Sequence, residues 1–198
     1  MGVTDCHVHI NPVWEMRPDA RAIVGTGLST PELERYLREP RAFLDYLDRS
    51  GVERAVLVNY LSPEVVGYTE KANDFVLEYV QADPDRLIPV GGVAPEGREP
   101  GRAVERLHAR GIRGIKIHPP HQLFSPDAYR TGAIPQLREV YEACERLHLP
   151  LIVHTGTSVF PRARNRFGQP FLLEDAAVDF PQLVIVLAHG GRPLWMGE

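Results

Sequence analysis

Short apolar runs alternate along the chain with longer amphipathic stretches. The runs cover 3–10, 55–60, 87–93, 112–118, 151–154 and 183–189, and are rich in Val, Ile and Leu. They lack strict apolar–polar alternation, which is how a strand covered on both faces reads. Helical patterns lie between them. Ser29-Thr30-Pro31-Glu32 offers a cap, a first-turn proline and a capping acid. The stretch 41–49 repeats Phe43, Leu44 and Leu47 at helical spacing and ends at Gly51, and 70–82 and 101–109 read the same way. The stretch 134–147 carries Leu137, Val140, Tyr141, Cys144 and Leu147 on one stripe, and 170–180 predicts a shorter helix.

The order is strand, helix, strand, helix, with six strands, which implies a parallel sheet with right-handed crossovers. Long connections follow the strands, at 11–28, 119–133 and 156–169, whereas the returns to the next strand are short, as at 110–111. Long loops after the strands are what build the active face of a (β/α) barrel. The expected fold class is therefore α/β, of the TIM-barrel type, as a single domain over 1–198 with about six of eight strand–helix units.

Composition narrows the function classes. The chain has 198 residues, 43% hydrophobic and 24% charged, with a net charge of −4, which is ordinary globular composition. No basic block suggests nucleic acid, no apolar run is long enough for a membrane span, and the start lacks a secretory pattern. Cys6 and Cys144 do not form a disulfide framework, so a cytoplasmic location is expected. The 20 arginines against two lysines, Lys71 and Lys116, make each lysine informative, and the eight histidines are unevenly placed.

In Asp5-Cys6-His7-Val8-His9, alternate residues of a strand share a face about 7 Å apart, so Asp5, His7 and His9 point one way. Two imidazoles at a strand end can chelate a divalent ion such as zinc, iron or nickel. Chance alternation on a half-buried strand is the competing explanation. His118, His154 and His189 end the fourth, fifth and sixth runs, which gathers five of eight histidines where a barrel places its active site. His108 and His148 fall on predicted helices, and His121 lies in the loop after strand four. Crowded imidazoles oppose one another's protonation, and a metal turns that crowding into a stable arrangement. Glycines follow two of these histidines, in Thr155-Gly156-Thr157 and Gly190-Gly191. They permit close backbone approach to a ligand, or simply a sharp strand exit.

Lys116 lies between Ile115 and Ile117 with the parity of His118. A barrel-facing lysine is costly unless paired or used; snorkelling to an ordinary ion pair is the alternative. Arg162, Arg164 and Arg166, in the loop after strand five, could hold an anionic substrate through charge-assisted bonds, or form a solvated loop face.

These segments resemble the amidohydrolase superfamily, in particular its family 2. That branch includes decarboxylases related to aminocarboxymuconate semialdehyde decarboxylase and hydrolases of aromatic-ring cleavage products. The matching segments are Asp5-Cys6-His7-Val8-His9, Gly114-Ile115-Lys116-Ile117-His118-Pro119, Val153-His154-Thr155-Gly156 and Leu187-Ala188-His189-Gly190-Gly191. The resemblance implies a (β/α)8 barrel in which His7, His9 and His154 hold one divalent metal, zinc first, with manganese or iron as alternatives. It makes His189 and Lys116 catalytic, His189 by handling a proton. In binuclear relatives a strand-four lysine is carbamylated and bridges two metals, but the family 2 match favours one ion. His118 is read as substrate-binding together with Arg162, Arg164 and Arg166.

The expected activity is hydrolysis of a small anionic organic substrate by metal-activated water. A metal-dependent decarboxylase of the same family is the alternative, and a non-catalytic truncated metal-binding barrel or a metal-free hydrolase are the further rivals. The family's metal-ligating aspartate at the end of strand eight has no counterpart here, and Asp5, Asp175 and Asp179 are not in its place. Strands seven and eight are absent, so open sheet edges are expected to leave the isolated chain unstable or homo-oligomeric, or to mark it as part of a longer protein. A small-molecule substrate is the expected partner, with no nucleic acid and no membrane.

Overall fold

The computed structural model describes residues 2–25 and 31–195. Six strands, β1 (Val3–Val8), β2 (Val52–Val58), β3 (Leu87–Gly92), β4 (Ile115–Ile117), β5 (Leu151–His154) and β6 (Ile185–Ala188), lie in sequential order in one sheet. Every neighbouring pair is parallel. The sheet is a curled half-barrel with helices on its convex side. The helices are α1 (Pro18–Val24), α2 (Pro31–Arg38), α3 (Pro40–Arg49), α4 (Lys71–Tyr79), α5 (Pro100–Ala109), α6 (Pro119–Gln122), α7 (Ala128–Thr131), α8 (Leu137–Arg146) and α9 (Glu174–Asp179). Among the described residues no helix is long and apolar enough to cross a membrane.

Two apolar sets hold the sheet in place. Alternate strand residues Ala55, Leu57, Ile115, Ile117, Leu151 and Val153 pack outward onto Leu44, Leu47, Val76, Val104, Val140 and Cys144 of the helices. On the opposite parity Val58, Val90, Ile152 and Ala188 fill the concave side. The stripe on α8 behaves as its spacing predicts: Leu137, Val140, Tyr141 and Cys144 are buried. Helix α3 starts with Pro40 in its first turn, buries Ala42, Phe43, Leu44 and Leu47, and exits through Gly51, whose φ of +67° is the left-handed value that glycine tolerates.

Several expectations change. The edge strands are not covered on both faces. Residues 3–6 of β1 and Val186 and Leu187 of β6 are exposed, because each of these strands has a neighbour on one side only among the described residues. The fourth run shortens to Ile115–Ile117, since Gly111 turns the chain at φ +111° and Ile112 is spent on the outer core. The long connections contain α1, α6 and α7, not continuous loop. The stretch 170–180 divides into a 3-10 turn, Pro170–Leu173, and α9. His148 sits beyond α8 in an exposed left-handed turn, φ +53°, and not on the helix. The Ser29-Thr30 cap lies outside the described residues.

Candidate active site

The concave face gathers histidines at the C-terminal ends of its strands. His7 and His9 leave β1 on the same side, with their Nε2 atoms 3.3 Å apart. Register with β2 shifts between Asp5 and Val8, so β1 is irregular at this point, and such irregularities re-aim side chains near functional sites. The Asp5 carboxylate accepts a hydrogen bond from the His7 backbone N–H at 3.1 Å. His9 Nδ1 lies 2.9 Å from the Val58 carbonyl. A carbonyl can only accept, so Nδ1 carries the proton and Nε2 presents its lone pair toward His7. Two nitrogens each about 2.1 Å from one tetrahedral ion stand about 3.4 Å apart, so this pair already has a chelating bite.

His154 ends β5 and His189 follows β6. Their rings lie 4.8 Å apart, and that of His189 lies 5.2 Å from that of His7. By strand alternation His189 should turn away from the concave face, because Ala188 points into it. It is turned back by backbone conformation: His189, Gly190 and Gly191 have φ of +72°, +54° and +79°. The two glycines are therefore required by the turn, and His189 itself holds a conformation seldom adopted outside functional sites and tight turns. Thr155 locks this turn to β5. Its hydroxyl donates to the Ala188 carbonyl at 2.8 Å and accepts from the Gly191 N–H at 3.1 Å.

Behind these rings lies a stack of imidazoles. The His118 ring is 3.7 Å from that of His154 and 3.5 Å from that of His121, in near-parallel planes. His121 is bonded at both nitrogens, to the Tyr60 hydroxyl at 3.1 Å and the Ser158 hydroxyl at 2.6 Å. His154 Nε2 and His118 Nδ1 are buried without a partner.

Lys116 is the only buried cation of the cluster. It is 1% exposed, and its Nζ has no hydrogen-bond partner. The ion pair considered from sequence is thus not formed. Burial pulls its amine down to about 7. Burial, then the Lys116 charge, lowers His7 to about 3, His9 to about 4, His121 to about 3 and His154 to about 2. The His9 residue as a whole is exposed to solvent. His118 is driven well down by burial and by its neighbours His121 and His154. His189 falls by burial, then through Lys116 and Arg192. At neutral pH these rings are neutral donor sets.

The fit to a metal rests on that donor set. His7 and His9 offer the bite, and His154 an unpartnered buried nitrogen. Among the described residues no three His, Cys, Asp or Glu side chains are placed so that they could hold a metal ion as they stand, so His154 would have to move toward the His7–His9 pair to complete a three-ligand centre.

The amidohydrolase family model matches residues 4–197. The chain belongs to the amidohydrolase family. Solved structures agree on the fold. An uncharacterised TIM-barrel protein of Bordetella bronchiseptica is 23% identical with a TM-score of 0.73, matching 98% of this chain and 68% of that one. Dihydroorotase of Campylobacter jejuni is 18% identical with a TM-score of 0.52, matching 94% of this chain and 47% of that one. No curated protein matches the chain.

The structure brings together His7, His9, Lys116, His118, His154 and His189, and adds His121. His118 is buried in the imidazole stack, not presented to an open cavity. The loop arginines are exposed and have local partners: Arg162 pairs with Asp19 at 3.2 Å, Arg164 donates to the Arg162 and Ala163 carbonyls, and Arg166 lies over the Phe167 ring. Sequence reasoning missed Tyr60 and Ser158, which fix His121, and Arg192, which lines a cavity of about 330 Å³ with His154, Thr157, His189 and Pro193. Tyr60 carried a readable signal, since it shares the concave parity of Val58; Arg192 carried only its position three residues after His189.

Proposed function

We propose that this amidohydrolase-family chain is a metal-dependent hydrolase of small organic substrates. His7, His9 and His154 hold one divalent ion, and zinc is among the ions that imidazole donors suit. The observation that carries the reading is the His9 Nδ1 bond to the Val58 carbonyl, which leaves its Nε2 3.3 Å from that of His7. A backbone carbonyl behind a ligating imidazole fixes its tautomer and orientation, as is usual at metal centres. When bound, such an ion makes water a stronger nucleophile near neutral pH and polarises a substrate carbonyl.

The chain's own residues supply the rest. His189 is neutral at neutral pH and open to solvent, so a ring nitrogen can take a proton from the attacking water and return it to the leaving group. The Thr155 bonds hold the turn that aims it. Lys116 sets the electrostatic background: its buried amine disfavours protonation of every imidazole around it. The decarboxylase alternative uses the same ligands and is separated from hydrolysis by carbon dioxide release. The test is a screen of esters, lactones, amides and carboxylic acids before and after chelation. Activity should vanish with chelator, return with zinc, and fall by about 100-fold or more in His189→Ala with metal content unchanged. Turnover unaffected by thorough chelation would overturn the reading.

A further inference from the structure

The cavity beside His154 and His189 has a charge that its lining residues leave unanswered. Among the described residues it is bounded by His154, Thr157, His189, Arg192 and Pro193, with no carboxylate among them. Arg192 is exposed, and among the described residues no ion pair or hydrogen bond engages its guanidinium. The other arginines near the site, at 162, 164 and 166, have local partners. Lys116, the other cation, is 1% exposed and out of reach of a ligand in the cavity.

The root of Arg192 is held firmly. Its N–H donates to the His189 carbonyl at 3.1 Å, and its carbonyl accepts from the Thr157 N–H at 3.0 Å. Gly156 packs so closely against that carbonyl that a Cβ there would lie 2.3 Å from the oxygen. The side chain therefore springs from a fixed point beside His189 and remains free at its tip. A guanidinium in that position presents a planar fork that matches a carboxylate and is less suited to a neutral amide.

We propose that Arg192 is the specificity-determining residue of this site and that its substrates are small organic monoanions, held by a carboxylate on Arg192 with the reacting carbon beside His154 and His189. Among the described residues Arg192 is the one cationic side chain lining the cavity, and a single guanidinium fork engages a single carboxylate. The assignment of a reacting carbon rests on the hydrolase reading above; the anion site does not.

The test compares benzoate with benzamide, which share shape and differ in charge, by calorimetric titration of the full chain. Wild type, Arg192→Gln and Arg192→Lys are each measured after chelation and again with zinc. The expected result is benzoate binding at least about tenfold tighter than benzamide in wild type, as a charge-assisted bond requires. That preference disappears in Arg192→Gln and is partly kept in Arg192→Lys, in chelated and zinc-treated protein alike. Equal binding of the two probes by wild type, no benzoate binding, or wild-type benzoate affinity in Arg192→Gln would overturn the proposal. Failure of the chain to take up zinc would count against the metal-dependent reading alone, because the chelated comparison still reports on Arg192.

Discussion

Replacing Lys116 with methionine should make the chain more stable. The lysine is 1% exposed, its Nζ has no partner, and burial lowers it from 10.5 to about 7. In the unfolded chain the amine keeps its ordinary affinity for protons. The gap of about 3.5 on the pH scale corresponds to about 4.8 kcal/mol against folding when both states are protonated, and about 4 kcal/mol at pH 7. The sign follows from proton counting. Below pH 7 both states hold the proton and the penalty is full. Between pH 7 and 10.5 the folded chain has released it and the unfolded chain has not, so stability rises with pH. Methionine has nearly the same volume and no charge; with about 1 kcal/mol allowed for imperfect packing, Lys116→Met should gain about 3 kcal/mol at pH 7. That corresponds to roughly 6–12 °C in Tm for a chain of this size. Urea melts of both proteins at pH 6, 7, 8 and 9 are the assay. The two curves should converge as pH rises, with the variant showing a flatter dependence. A variant less stable than wild type at pH 7, or one with the same pH slope, would refute the argument.

Acid should act in the same sense through the imidazoles, over a lower pH range. His121 is 4% exposed and lowered to about 3, so protons favour the unfolded chain below its ordinary value of 6.5, and stability falls from there down toward pH 3. At pH 5 this one ring should remove about 2 kcal/mol relative to pH 7, measurable as a drop in urea midpoint; an unchanged midpoint would contradict its burial. Gly156→Ala should cost at least about 2 kcal/mol, because φ is +121° and the new Cβ would meet the Arg192 carbonyl; a melt within 0.5 kcal/mol of wild type, about the spread of neutral surface changes, would mean that the two loops separate readily. Thr155→Val removes a donor and an acceptor from a buried position and should cost about 1–3 kcal/mol, with His189-dependent turnover falling further than Tm alone explains.

The parts legible in the sequence are those set by local rules. Leu151–His154 was visible as a strand because its neighbours on both faces are apolar. The α8 stripe followed from 3.6-residue spacing alone. His7 and His9 could be paired because period-two alternation survives an irregular stretch of β1. What stayed hidden depends on backbone turns or on distant partners. His189 faces the site through a left-handed residue, which no hydropathy pattern records. Pro119 and Pro120 read as a loop signal yet start α6, since prolines are accepted in a first helical turn. The role of His121 rests on Tyr60 and Ser158, 61 and 37 residues away in sequence. The exposure of β1 and β6 follows from the open sheet edges expected of six strands, although their apolar composition alone reads as burial.

The central claim is that His7, His9 and His154 form a centre for one divalent ion. It is tested most directly by metal content, measured by mass spectrometry on the chain purified with zinc and dialysed, for wild type, His9→Ala and His154→Ala. The account predicts about one zinc per chain in wild type and less than about a tenth of that in either variant, since two imidazoles leave the ion short of the three protein ligands such centres use. Wild type without stoichiometric metal, or His9→Ala retaining the wild-type load, would contradict it.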